Sequence, residues 1–507
     1  MCQPMVFIVS FFVQSLLLKI QLTRPQCLPL PLEFRFTINE SNKPDFIIFD
    51  GDIAVHNYNP DLYPHKFSRT SENKTIERYR EQEDQNLKHA NLWPNGMIPF
   101  VLYDSLSKSL KITISSAIKH WEEETCIRFR QKVDQDKYWI TFRSDSTGCY
   151  SFLGRDESCQ RQGQPVSLSK GCDSFLVAAH EIGHVVGLIH QHNRNDRDDF
   201  VNIIWKNLDS KNDNYFRKEF FDTFGIPYDY TSLMHYNQWH ISSDIMNKSA
   251  MVTHNPFYQR FMGIRSGLSF RDKKLVNLIY NCSQGCPSSN NCMNEGFLSS
   301  NCSCICPPNT SGSLCEKIIV EDYYEALDPL NCGGFVREEG ALIQTPLTRQ
   351  ERLNCVWMIE SPNSNQVVRL SIEEFSFHRR SDINTKIMSP PDFKCANESL
   401  EIRLSDPYDG RFFCGNDLVP GSSLTSSSSH MILLISSSIP FSTSTFKAKV
   451  YFEDKNVAST TTSSPKGTSA TSNDVNPFVS LIRLPLDSLI KLVVNTRDVF
   501  INTLRNG

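Results

Sequence analysis

Beyond residue 18 this 507-residue chain has no run of 18 apolar residues, so a bilayer-crossing helix is not expected in the mature protein. It also lacks an excess of either charge. Its 52 Lys and Arg stand against 56 Asp and Glu, and a net charge of -4 gives no reason to expect nucleic acid or stable membrane insertion. The apolar stretch at residues 5–18 suits the core of a secretory signal over residues 1–24, although the usual basic start and small-residue cleavage site are missing. Support for a secreted, extracellular protein comes from 17 cysteines, most of them clustered late at short spacings, a density that favours an oxidising compartment. Sequons for glycosylation at Asn73, Asn247, Asn301, Asn309 and Asn397 agree with export.

The length predicts three or four folding units. Residues 25–80 are polar and proline-rich and end near Arg78 and Arg80, as a removable pro-segment would. Leu106, Leu110, Ile114, Ile118 and Trp121 recur every three or four residues, which predicts a helix. Residues 138–142 read as a strand, and residues 177–188 as a buried helix ending near Gly187. After Cys282, six cysteines lie close together with little apolar material between them, so residues 283–316 must be held by disulfides. Residues 332–453 alternate in β-rich runs such as 367–372, 400–404 and 431–435, the pattern of a β-sandwich. Residues 454–475 read as a Ser/Thr-rich linker, and residues 476–507 as a tail of no assigned structure.

The strongest chemical signal is His180-Glu181-Ile182-Gly183-His184. On a helix, residues four apart share a face, so both imidazoles reach one ion while Glu181 faces a water beside it. Gly187 can end the helix in a left-handed turn and return the chain, which permits His190 as third ligand. Three neutral nitrogens with one open position describe a catalytic zinc site rather than a structural one, which would need four protein ligands. His192 is the nearest rival but lacks the spacing, and reads as a surface or supporting histidine. His120, His240 and His254 read as ordinary exposed or partly buried side chains. Further on, Met234 can pack beneath the histidines, and Tyr236 can donate a hydrogen bond to a forming oxyanion.

HEIGHVVGLIHQHNRNDRD from His180, SLMHY from Ser232 and WPNGMIP from Trp93 resemble the astacin family of zinc metallopeptidases, within the metzincins. The resemblance implies an α+β fold, with a two-lobed metzincin protease domain at 81–282 and a zinc cleft between the lobes. It implies one Zn2+ on His180, His184 and His190, with Glu181 as general base, Met234 as the turn methionine, and Tyr236 as switchable ligand and transition-state donor. Phe49-Asp50-Gly51-Asp52 resembles the family's pro-segment motif, which makes Asp52 the metal-blocking residue of a latent form. Cleavage after Arg80, or at Lys88, by a basic-specific protease would remove it. Gln191 departs from the family's usual glutamate, which weakens the expected contact with a new N-terminus.

The family's core disulfides map to Cys126–Cys282 and Cys149–Cys172. Cys159 has no partner in that scheme, leaving a free thiol, competing pairing or a bridge to another chain. Residues 283–316 resemble an EGF-like module, with pairs Cys286–Cys302, Cys292–Cys304 and Cys306–Cys315. Residues 332–453 resemble a CUB domain, with pairs Cys332–Cys355 and Cys395–Cys414. Glu398 and Ser437-Ser438 depart from that domain's calcium pattern, so weak or no calcium binding is expected. The arrangement is similar to nematode members of the family. It implies a zinc metalloendopeptidase acting on extracellular or matrix proteins, with an extracellular binding scaffold as the alternative; the oligomeric state stays open.

Overall fold

A computed structural model describes residues 46–49, 52–56 and 90–455, apart from breaks at 146–147, 160–162, 209–214, 220, 244–247, 264–265, 288–290, 331, 347–352, 379–394, 396–397, 438 and 440–443. The signal segment, the cleavage candidates Arg80 and Lys88, the linker from 456, the tail, and Asn73, Asn247 and Asn397 lie outside the described residues. Asn301 is exposed and Asn309 half-buried.

The N-terminal lobe is built on one mixed sheet. Strands β1 (Phe46–Phe49) and β2 (Ile53–His56) form a hairpin, followed by β3 (Met97–Leu102), β4 (Arg128–Gln131), β5 (Ile140–Arg143), β6 (Cys149–Phe152) and β7 (Gln164–Leu168). Their order is β1-β2-β6-β7-β5-β3-β4. The hairpin precedes the rest by some 40 residues of chain, yet it extends the sheet at β6, with Ile53 opposite Ser151 and Ala54 opposite Phe152 in parallel register.

Helix α1 (Lys108–Glu124) begins at Ser107, whose side chain accepts from Leu110 N–H, and buries Leu110, Ile114, Ala117, Ile118 and Trp121. Leu106 is buried too, just before the helix starts. The strand expected at 138–142 is displaced to β5, leaving Tyr138 outside the ladder. Helix α2 (Phe175–Val186) lies against α1, and the Trp121 indole N–H donates to Ala179 O at 3.0 Å. Apolar side chains of both helices and the sheet share one core that also holds Leu233 and Met234.

The C-terminal lobe has little regular structure: a two-stranded ladder of β8 (Val201–Ile203) and β9 (Met251–Thr253), then α3 (Phe270–Ile279), which starts in a capping box of Ser269 and Asp272. Disulfides join Cys126 to Cys282 and Cys149 to Cys172. Cys159 is buried and disulfide-bonded, which removes the free-thiol reading; every other described cysteine is paired among the described residues, so its partner lies outside them.

The next segment carries disulfides Cys286–Cys302, Cys292–Cys304 and Cys306–Cys315. Its ladders are β10 (Phe297–Leu298) with β11 (Cys304–Ile305), and β12 (Thr310–Ser311) with β13 (Lys317–Ile318). The short helix α4 (Tyr323–Leu327) then turns back, so that Tyr323 and Tyr324 join the core of the C-terminal lobe. Tyr324 OH donates to Tyr228 O at 3.0 Å and accepts from Tyr230 N–H at 3.1 Å.

Two further sheets face each other. One contains β14 (Cys332–Val336), β16 (Leu353–Glu360), β18 (Glu398–Asp406), β19 (Asp409–Phe413) and β21 (His430–Ser437). The other contains β15 (Leu342–Gln344), β17 (Gln366–Ser376), β20 (Ser423–Thr425) and β22 (Thr445–Asp454). Their orders are β14-β16-β21-β18-β19 and β15-β22-β17-β20, with a single apolar core including Trp357, Leu370, Leu433 and Phe446. Disulfides Cys332–Cys355 and Cys395–Cys414 belong to this unit. Glu398 is buried there, accepting from Ser437 Oγ at 2.7 Å, from His378 N–H at 3.0 Å and from Ser444 Oγ. Among the described residues no helix is long and apolar enough to cross a membrane.

Candidate metal centre

The site is assembled on α2. Ser174 caps the helix by accepting from Val177 N–H at 3.2 Å, and the helix is buried from Ala178 to its end. It stops at Gly187, whose φ of 110° is left-handed, with its N–H directed at the carbonyls of Gly183 and His184. The chain then folds back, placing Leu188 O 2.8 Å from His184 Nδ1 and bringing His190 alongside. The imidazoles of His180, His184 and His190 are nearly inaccessible, at 3%, 0% and 0% exposure.

The outer nitrogens decide which lone pairs point inward. His180 Nδ1 lies 2.8 Å from Leu233 O and His184 Nδ1 2.8 Å from Leu188 O. A carbonyl can only accept, so both Nδ1 atoms carry the proton and both Nε2 atoms turn a lone pair into the site. Into the same point comes Asp52, with Oδ2 3.1 Å from His180 Nε2, and Oδ1 3.1 Å from His190 Nε2 and 3.3 Å from His184 Nε2. Burial pushes the Asp52 carboxyl up, but His190, His184 and the hydrogen bond to His180 outweigh it and hold the group well below the usual carboxylate range. Burial pushes His184 down. An ionised carboxylate cannot accept from an unprotonated Nε2, so the low carboxyl needs a cation in the same place, a proton shared with the imidazoles or a metal ion in its stead.

These four groups form one cluster able to hold a metal ion. Zinc at about 2.0–2.1 Å from each donor in a tetrahedron would set the donors about 3.3 Å apart, and His180 Nε2 and His190 Nε2 are 3.3 Å apart. Asp52 Oδ1 and His184 Nε2 are buried without a hydrogen-bond partner among the described residues, a cost that a bound cation removes. The residues fit a single zinc ion.

The family model for the Astacin peptidases matches residues 85–281, the span that carries the three histidines. Residues 85–281 form an astacin-family zinc metallopeptidase domain. The chain is 29% identical over 358 residues to Blastula protease 10 of Paracentrotus lividus, covering 67% of this chain and 55% of that protein, so it spans little more than half the relative's length. It is 28% identical over 448 residues to Zinc metalloproteinase nas-23 of Caenorhabditis elegans, covering 85% of this chain and 76% of that one. Among solved structures, High choriolytic enzyme 1, a hatching enzyme zinc-protease from Oryzias latipes, is 32% identical with a TM-score of 0.34, covering 38% of this chain and 94% of the other.

Around the astacin metal cluster the structure places the remaining candidates. Glu181 is 1% exposed beside His180, its carbonyl accepting from Ser151 Oγ at 2.8 Å. Met234 lies directly under α2: a Cβ on Gly183 would stand 2.5 Å from Met234 Sδ. Tyr236 is buried, its ring 4.6 Å from that of His190. Gln191 donates its N–H to Met234 O at 3.0 Å and lines a cavity with Arg194, Asp229 and Asp272.

Two further histidines, His192 in the supporting place that was one of its two readings and His240 read as ordinary, stand close to the site. His192 is not a surface residue: it is fully buried, its ring 5.0 Å from that of His190 and 4.1 Å from Tyr236. His240 is exposed but its ring centroid lies 3.8 Å from that of Tyr236. The other two lie elsewhere. His120 Nε2 accepts from Leu268 N–H at 3.0 Å, and His254 Nδ1 lies 3.2 Å from Asp199 O.

Asp272 was missed in the sequence. It accepts from Ser232 Oγ at 2.7 Å and Leu233 N–H at 2.8 Å, and so holds the peptide whose carbonyl orients His180. Burial, and then the charge of Asp229, push its carboxyl up to about 6. The only local sign was the Ser269-x-x-Asp272 cap, which points to a helix start rather than to a metal centre.

Proposed function

We propose that the chain is a secreted zinc metalloendopeptidase made as a zymogen, with Asp52 holding the precursor latent. The reading is carried by one observation: the Asp52 carboxyl, from outside the family-matched span, sits 3.1–3.3 Å from the Nε2 atoms of all three histidines. A segment that supplies a metal ligand and pairs with the sheet edge also blocks the place where a substrate strand would add. Cutting the chain after it frees both.

His180, His184 and His190 would hold the zinc ion, which when bound supplies a Lewis acid and lowers the pKa of its water. Glu181, next to His180 and shielded from solvent, takes the proton of the attacking water on its carboxylate and hands it to the leaving amine. Tyr236 donates its phenolic hydrogen to the oxygen that gains charge, once Asp52 has left. Met234 fills the space below α2 and keeps the histidines from tilting. The disulfide-rich segment at 283–316 reads as an EGF-like module and the sandwich at 332–453 as a CUB domain. Both place the peptidase near extracellular or matrix substrates.

The test is activation of the secreted precursor with a basic-specific protease, followed by a quenched peptide library with and without a zinc chelator, and Glu181→Ala in parallel. Activity should appear only after processing and vanish in both controls. Processed, zinc-loaded protein that cuts nothing would leave the chain as an extracellular binding scaffold.

A further inference from the structure

The two-sheet unit touches the astacin domain at a particular place. Its β18–β19 hairpin brings Phe412 to within 6.0 Å, ring to ring, of Trp239, which packs onto the core of the sandwich. Asp409 and Asp406 of the same hairpin face Lys206 Nζ at 2.8 and 3.9 Å. Both contacted residues relate to one segment, 237–243: Trp239 lies in it, and Lys206 adjoins the residue that pairs with its end. Trp239 lies in a tight turn, its N–H donating to Asn237 Oδ1 at 3.0 Å, while His240 N–H donates to Asn237 O at 3.3 Å. Lys206 precedes Asn207, whose carbonyl accepts from Ser243 N–H at 2.7 Å. The sandwich therefore meets the segment 237–243 directly at Trp239, and stands one residue removed from its far end, through Lys206 and its neighbour Asn207.

That segment follows Tyr236 directly and returns His240 against it. The Tyr236 ring has His240 at 3.8 Å and His192 at 4.1 Å. A ring held by two such neighbours loses rotamer freedom, and the aim of its hydroxyl depends on where each neighbour stands. His192 is fixed by the buried lobe. His240 is exposed and follows Trp239 directly in the turn that its own N–H closes on Asn237 O.

From these contacts we propose that the β-sandwich helps to aim Tyr236: Phe412 seats Trp239, Trp239 sets the 237–240 turn, and the turn presses His240 on the Tyr236 ring. Trp239 and His240 are then positioning residues, acting through Tyr236 rather than on substrate. This rests on the reading of Tyr236 as the oxyanion donor, and the experiment separates the two ideas.

The full-length secreted chain is processed as above, and kcat and KM are measured on one quenched peptide for wild type, Phe412→Ala, Trp239→Ala, Trp239→Phe, Asp409→Lys, Tyr236→Phe and the double variant Trp239→Ala/Tyr236→Phe. Phe412→Ala, Asp409→Lys and Trp239→Ala should each lower kcat, with Trp239→Ala losing about tenfold and KM moving less than about twofold. Trp239→Phe should recover most of the loss, because it keeps an aromatic face for Phe412. In the Tyr236→Phe background, Trp239→Ala should cost nothing further. Equal losses from Trp239→Ala with and without the tyrosine hydroxyl, or full activity in both Trp239→Ala and Phe412→Ala, would overturn the positioning role alone. An unchanged kcat in Tyr236→Phe would remove the donor reading and the proposal with it. Should Trp239→Ala not be secreted, Phe412→Ala and Asp409→Lys decide from the sandwich side.

Discussion

Replacing Asp52 by alanine isolates what the carboxylate contributes to latency. The wild-type carboxylate stands 3.1–3.3 Å from three imidazole nitrogens. An unprotonated Nε2 donates nothing to a carboxylate, so the hold runs through the cation that these groups share, and a charge-assisted interaction contributes about 1.5–3 kcal/mol net. The three share one carboxylate and do not add, so about 3 kcal/mol for the set is a reasonable figure. At about 1.4 kcal/mol per factor of ten, removing it raises the fraction of precursor with an accessible metal position by about 10²-fold. The hairpin itself should stay, because Ser151 N–H still donates to the Asp52 carbonyl at 2.9 Å and Ile53 still pairs with Ser151. Uncleaved Asp52→Ala should therefore show chelator-sensitive hydrolysis of a short quenched peptide about 10²-fold above uncleaved wild type, while staying below the processed enzyme. Mass spectrometry of the assayed sample confirms that no chain was cut. An uncleaved variant as silent as wild type would mean that the strand, not the carboxylate, blocks the site, and the argument from the three contacts would fail.

Glu181→Gln keeps the shape of the side chain and removes the base. It should lower kcat by about 10²–10⁴-fold while bound zinc, measured by elemental analysis, stays at wild-type level. Gly183→Ala forces a methyl to within 2.5 Å of Met234 Sδ and should destabilise the domain by about 1–3 kcal/mol in urea unfolding. Asp272, raised to about 6 in the folded state, binds its proton more tightly there than in the unfolded chain. Its contribution to stability should therefore fall as pH rises from about 4 to about 6 and level off above, by at most about 1.4 kcal/mol per pH unit, read as wild type minus Asp272→Asn. Chelation should lower the melting temperature of processed protein and excess zinc restore it, since the ion binds only the folded site.

The metal ligands were legible because their geometry is local. Two histidines one helical turn apart and a glycine at the helix end specify three donors within eleven residues, and the structure has them on α2 and the turn after it. The amphipathic stripe of α1 and the alternating runs of the sandwich were legible for the same reason. Tyr138 was misplaced because a short β-rich run of five residues does not mark where its ladder begins. His192 stood open between a surface and a supporting place because spacing counts only neighbours along the chain, whereas its burial, which decides for the supporting one, comes from Tyr236 and Phe216, far from it in sequence.

The sequence by itself determined the chemistry: which side chains can bind a metal ion, which carboxylate stands beside them, and that many cysteines would staple the later segments. Only the tertiary structure decided how that chemistry is held. A carboxylate from residue 52 reaches histidines 128 residues away through an added sheet edge, and Asp272 orients His180 across an intervening peptide. The sandwich reaches Tyr236 through Trp239, by contacts between residues some 170 positions apart. Such pairings leave no periodicity or spacing in the chain, because they depend on which faces are free to pack once each unit has folded.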